Sequence, residues 1–172
     1  MPGCCRSARR ATPVAKRPRP EAAGDASSAR AAALGLLARR DYLSAELGRK
    51  LRERGFQAQA VIEALEHLTA EHLLDDARTV ERFVAYRAGR GQGPLRIGLD
   101  LKAQGAPAEL IGPALQSGPE WRALARDVRR RRFGAAAPAD WTERARQARF
   151  LQYRGFSSDD IRAATGAELE LD

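Results

Sequence analysis

Residues 52–56 read Arg-Glu-Arg-Gly-Phe and residues 152–156 read Gln-Tyr-Arg-Gly-Phe, the same closing step one hundred residues apart. In each copy the glycine follows a leucine by four positions, Leu51 before Gly55 and Leu151 before Gly155. The midpoint decides whether the match is a coincidence. Leu101 and Gly105 stand there, with Ala106 in place of the phenylalanine, and Val61, Ile111 and Ile161 follow in the same register. Three aligned columns at a period of about fifty residues mark a helical array. The chain reads as a threefold repeat.

Working outward, each step predicts the end of one helix and the start of another. Glycine takes the left-handed conformation that closes a helix without steric cost. Before the first step, Ser44 is the expected N-cap of a helix carrying Leu47 and Leu51 at i and i+4; after it, Val61, Ile62, Leu65 and Leu68 form an apolar stripe. Upstream, a helix starting at Ala29 places Leu34 and Leu37 on one face and ends at Arg39 and Arg40. The second copy repeats the plan with Val80, Phe83 and Val84, then Ile97 and Leu101 after Pro94, then Leu110, Ile111 and Leu115 after Pro107. The third places Trp121, Leu124 and Val128 inside, then a second helix to Gly155, and a last one with Ile161 and Ala164. Ser157 with Asp160 reads as a capping box for that last helix. No strand-like alternation interrupts the pattern. The expected fold is all-α, an elongated, curved array of three tandem three-helix repeats that bury their faces against one another.

The divisions follow: a disordered basic tail over 1–28, then repeats over 29–74, 75–118 and 119–172, the last with a short acidic end. The composition, 44% hydrophobic, 30% charged and 6% aromatic, suits a soluble helix-rich protein. No apolar run approaches the roughly 20 residues of a membrane span, and the basic N-terminus lacks the apolar segment of a secretory signal. The two cysteines, Cys4 and Cys5, are adjacent and have no third partner, so a cytoplasmic setting is expected.

The net charge of +8 is unevenly placed. Residues 121–154 carry ten arginines against three acidic residues, whereas residues 155–172 carry one against five. Such an excess suits a polyanionic partner, with a merely solvated Arg-rich face as the alternative. Arg122, Arg126, Arg129, Arg130, Arg131 and Arg132 load one helix, and Arg144, Arg146, Arg149 and Arg154 the next. Spacing puts Arg122, Arg126, Arg129 and Arg130 on one stripe, and the two helices side by side would join into a basic strip. Arg82, Arg87 and Arg90 of the middle unit are secondary candidates.

Catalytic and metal chemistry find little purchase. His67 and His72 are five apart, off the i, i+3 or i+4 spacing of ligands on one helical face. Gly89–Pro94, Gly-Arg-Gly-Gln-Gly-Pro, lacks the spacing and lysine of a phosphate loop and reads as a helix–helix linker. Asp75 and Asp76 suit the start of a helix, and Phe56 and Phe156 read as core residues rather than base-stacking platforms. No cofactor, metal or enzymatic activity is expected.

The stretches RDYLSAELGRKLRERGF and VIEALEHLTAEHLLDDARTVERFV, then YRAGRGQGPLRIGLDLKAQG, then ARFLQYRGFSSDDI resemble, in order, the three units of the RecX family, bacterial modulators of the RecA recombinase. The likeness runs from Arg30 to about Thr165 and leaves out the tail. It implies a non-enzymatic protein that lies in the helical groove of the RecA–single-stranded-DNA filament and restrains ATP hydrolysis, strand exchange and coprotease activity, within homologous-recombination repair and the SOS response. The family has no catalytic motif to carry over, so the arginine candidates rest on charge alone. The alternative is a module that binds bare DNA non-specifically without RecA. A sequence-reading helix-turn-helix is disfavoured, since helices expected at 57–68, 107–116 and 157–165 are poor in base-reading side chains.

Overall fold

The computed structural model describes residues 25–166, and within them the chain folds into nine α-helices and no strand. The first unit holds α1 (Ala26–Leu37), α2 (Ser44–Glu53) and α3 (Ala58–Ala70); the second holds α4 (Asp76–Gly89), α5 (Pro94–Gln104) and α6 (Ala108–Gln116). The third holds α7 (Trp121–Phe133), α8 (Trp141–Arg154) and α9 (Ser158–Thr165). Helix packing is concentrated within the units: α1 on α3, α4 on α6 and α7 on α9. The all-α array of three tandem three-helix repeats is therefore present.

Each unit has its own core. In the first, Ala29, Ala33, Leu47, Leu51, Val61, Ala64 and Leu68 are fully enclosed. The second gathers Val80, Val84, Ile97, Leu101 and Ile111, and the third the smaller set Ala125, Val128, Leu151, Phe156 and Ala164. The cores are linked at the junctions. Leu43, the residue before α2, belongs to the second unit's core, and Trp121 and Leu124 of α7 pack back onto the same cluster. Trp121 completes this contact by donating its indole N–H to Leu115 O at 2.9 Å. Sharing residues this way lets units too small to stand alone exclude water.

The repeat positions perform the task that their spacing predicts. Leu51, Leu101 and Leu151 are buried, and Gly55, Gly105 and Gly155 have φ of 92°, 87° and 87°. Phe56 and Phe156 follow into the core, and Val61 and Ile111 are buried while Ile161 is half-buried. Ser157 and Asp160 form a reciprocal capping box.

Several local expectations are corrected. Helix α1 begins at Ala26 because Asp25 caps it, its carboxylate accepting from Ser27 N at 3.1 Å, so residues 26–28 are helix and not tail; residues 1–24 lie outside the described residues. Arg39 and Arg40 fall beyond the end of α1, and Arg40 instead reaches Glu46 at 2.5 Å. Ser44 is the first residue of α2 and not its cap. The Ser44 N–H and hydroxyl both donate to Oδ1 of Asp76, at 2.8 and 3.0 Å, so the second unit caps a helix of the first. Ile62 stands 48% exposed, because Ala60 and Ala64 carry the inward face of α3 with Val61 and Leu68. Pro107 sits at the N-cap of α6 rather than within its first turn.

Candidate functional site

The arginines of α7 and α8 separate by the direction in which their backbone sends them. Arg129 follows Ala125 by one helical turn and shares the buried side of α7 with it and Val128. Its guanidinium donates to Ala136 O at 2.8 Å, to Ala135 O and Gln147 Oε1 at 3.3 Å, and to Gly134 O at 3.4 Å. Five fixed donors suit a strand of turning carbonyls, so Arg129 fastens the link between α7 and α8. This corrects its expected place on the outer stripe: Arg129 is 7% exposed and faces the interior.

The remaining nine arginines reach solvent to different degrees. Three are occupied locally: Arg126 lies 3.9 Å from Glu120, Arg130 2.6 Å from Asp127 and Arg146 2.8 Å from Glu143. Gln147 also donates to Glu143, at 2.8 Å, and this bond, followed by that from Arg146, holds the Glu143 carboxyl below its ordinary value. Arg122, Arg131, Arg132, Arg144, Arg149 and Arg154 have no carboxylate at ion-pair distance among the described residues. Of the secondary candidates, Arg82 pairs with Asp41 at 2.9 Å across the first junction and Arg87 with Asp100 at 3.6 Å within the second unit. Arg90 is exposed and unpaired among the described residues.

Four of the unpaired group converge. Arg90, at the end of α4, meets Arg131 and Arg132 from the last turn of α7 and Arg154 from the end of α8 around a cleft of about 240 Å³. Gly89, Gly91, Val128 and Phe150 complete the walls. The backbone builds this meeting point. Gly93 N donates to Arg154 O at 2.9 Å and Leu95 N donates to Gly155 O at 3.0 Å, binding the α4–α5 turn to the end of α8. A Cβ on Gly93 would lie 2.3 Å from Gly155 O, and one on Gly155 would lie 2.3 Å from Cβ of Arg96. Arg154 then donates to Arg90 O at 3.2 Å and lies over the Phe150 ring at 5.2 Å, which orients its charge along the cleft wall.

Charge separates this cleft from its neighbours. A groove of about 600 Å³ between α4 and α7 is lined by small and apolar residues, Val84, Ala85, Ala88, Ala114 and Leu124 among them, with one acid, Glu81. Another of about 460 Å³ at the first junction contains Arg40 and Arg82, but these pair with Glu46 and Asp41 in the same walls. The four-arginine cleft has no acidic wall residue. Among the described residues no group of three or more His, Cys, Asp or Glu is placed to hold a metal, and no helix is long and apolar enough to cross a membrane.

The sequence places Arg131, Arg132 and Arg154 in the first rank, on two helices whose arginines join if they lie side by side, and Arg90 in the second rank, with nothing to connect it to them. Arg122 and Arg144 are exposed but do not line the cleft, and neither does Arg149. The missed signal was Gly93: glycine before Pro94 breaks a helix, but it also permits a backbone-to-backbone contact with the third unit.

Comparison with known proteins agrees with this architecture unit by unit. The chain matches the first three-helix domain of RecX over residues 29–68, the second over 75–115 and the third over 120–165. It is 49% identical over 152 residues to a regulatory protein RecX of Halorhodospira halophila, covering 87% of this chain and 94% of the relative. It is 47% identical over 133 residues to one of Pseudomonas fluorescens, covering 77% and 86%. The crystal structure of RecX from Lactobacillus salivarius superimposes with a TM-score of 0.74 at 21% identity, over 83% of this chain and 96% of that one, a likeness of fold.

Proposed function

The chain belongs to the RecX family of regulatory proteins, and from that premise we propose that it is a non-enzymatic regulator of the RecA recombinase. It binds the RecA–single-stranded-DNA filament in the cytoplasm and lowers the filament's ATP hydrolysis, strand exchange and coprotease activity. The observation that carries this reading is the order of the three family domains together with a basic cleft at the junction of the last two. A filament presents protein and phosphate along one groove. An array of three units can touch more than one RecA subunit at a time, and Arg-lined surfaces at the second junction suit the phosphate.

The mechanism is one of linkage. Bound protein shifts the filament only by the difference in its affinity for the active and inhibited geometries. Contacts that span neighbouring RecA subunits in the inhibited spacing supply that difference. The test is RecA's single-stranded-DNA-dependent ATP hydrolysis, with this protein titrated in at ratios too low to coat the DNA. Strong inhibition there supports action on the filament. Inhibition only once the DNA is saturated would instead support a bare-DNA-binding protein, and none at all would end the reading.

A further inference from the structure

We propose that the cleft between the second and third units is a binding site for the backbone phosphate of single-stranded nucleic acid, with Tyr86 as the platform for an adjacent base. The assignment deepens the filament reading and rests on it for where the strand is met, but its chemistry is local. Arg90, Arg131, Arg132 and Arg154 come from two units and line one concavity of about 240 Å³ with no acidic residue in its walls. None has a carboxylate at ion-pair distance among the described residues. Four like charges sharing a small space repel one another unless an anion sits between them, and planar guanidinium groups match the oxygens of a phosphate.

The neighbouring aromatic favours a nucleic acid over an acidic protein. Tyr86 on α4 is 58% exposed, and the Arg90 guanidinium lies 4.7 Å from its ring centre. One residue of the cleft therefore lies over an exposed aromatic ring, which itself lines the neighbouring groove at the first junction. A base can stack on that ring while its phosphate lies in the cleft, and such stacking does not depend on sequence. A stacked base must leave its helix, so the site selects single strands over duplex.

The experiment uses the full chain and a fluorescently labelled oligodeoxythymidylate, without RecA, followed by anisotropy between about 50 and 200 mM salt. Arg131→Ala with Arg132→Ala removes two positive charges at the cleft. Arg52→Ala with Arg54→Ala removes two from the far unit, where both side chains are exposed. The cleft pair is expected to weaken binding about tenfold or more and to lower the log–log salt slope by about 1.4, since each of two phosphate contacts on a single strand contributes about 0.7. The far pair should change affinity by about twofold at most, as distant charges are screened. Tyr86→Ala should weaken binding about fivefold with the slope retained, a loss of stacking rather than charge. Circular dichroism checks that each variant is folded as the parent is.

Equal losses from the cleft and far pairs would overturn the site in favour of diffuse charge. Oligoglutamate competing as well as unlabelled oligodeoxythymidylate would overturn its ligand class, as would tighter binding of duplex than of single strand. Because RecA is absent, cleft-dependent binding can hold while the filament reading fails, and the reverse.

Discussion

Gly55 and Gly155 occupy the same place in the same Arg-Gly-Phe step, with φ of 92° and 87°, each after a buried leucine and before a buried phenylalanine. Around Gly55 no heavy atom lies within 4 Å of where a Cβ would sit; at Gly155 that position is 2.6 Å from Arg96 N. Gly105 lies between these cases, 2.9 Å from Cβ of Ala45 at the start of α2. The shared need is to end a helix, and glycine meets it in all three units. The difference is neighbours: the second unit's step touches the first unit and the third unit's step touches the second, while the first unit's step touches no other unit among the described residues. The repeat signature thus encodes a stop, and position in the array turns the same stop into a joint. Four of the unpaired arginines, Arg90, Arg131, Arg132 and Arg154, line one cleft at the tightest joint.

Gly155→Ala should break this comparison hardest. It adds the left-handed strain of a non-glycine residue, about 1–2 kcal/mol, to overpacking of about 1–3 kcal/mol against Arg96. Gly55→Ala carries only the first of these costs. Gly93→Ala isolates the second, since φ at Gly93 is −88° and any residue adopts it. Urea denaturation of the three variants should rank them in the order Gly155, then Gly93 or Gly55; equal losses at Gly55 and Gly155 would mean the joint adds nothing.

Arg129 sharpens the contrast between charge that holds the fold and charge that is free to act. Arg129→Met should cost about 2 kcal/mol of stability, the scale of hydrogen bonds from a charged donor, and leave oligonucleotide affinity nearly unchanged once folded. A variant that stays stable and loses binding would place Arg129 among the contact residues after all. Asp76→Ala removes the cap that crosses the first junction and should cost about 1 kcal/mol, read as a lower urea midpoint; no shift would show that solvent caps α2 equally well.

The smallest effect concerns pH. The Glu143 carboxyl is depressed by its bonds to Gln147 and Arg146, and Asp25 by the Ser27 hydroxyl and N–H. Depressed carboxyls contribute stability above their ordinary values and lose it as pH falls through the folded ones. Acidification should therefore fray the first turns of α8 and α1 while the cores persist. Trp141 at the start of α8, 78% exposed, reports the first of these by fluorescence. Glu143→Gln should flatten that acid response, and an unaltered response would assign it to another group.

Much of the fold was legible because its determinants are local. Leucine four residues before glycine, proline after a break and serine three before aspartate each act within one or two helical turns, and Leu51, Pro94 and Ser157 behave accordingly. The correction at Ser44 involves a partner distant in sequence, whereas Arg129 turns inward onto carbonyls five to seven residues away in the α7–α8 link. Nothing near Ser44 shows that Asp76 will cap it, and helical spacing alone put Arg129 on an outer stripe that tertiary packing turned inward. The candidate cleft was half legible: charge counting found its arginines, but the Gly93–Gly155 contact that assembles them joins residues more than sixty positions apart.

On the function proposed above, the arginines gathered at the second junction carry the effect on the filament. The most direct measurement compares inhibition of RecA's DNA-dependent ATP hydrolysis by the parent chain, by Arg131→Ala with Arg132→Ala, and by Arg52→Ala with Arg54→Ala, at matched helicity and substoichiometric amounts. The junction pair should raise the concentration needed for half-inhibition about tenfold or more while the far pair shifts it little. Inhibition by the junction pair equal to that of the parent would contradict it.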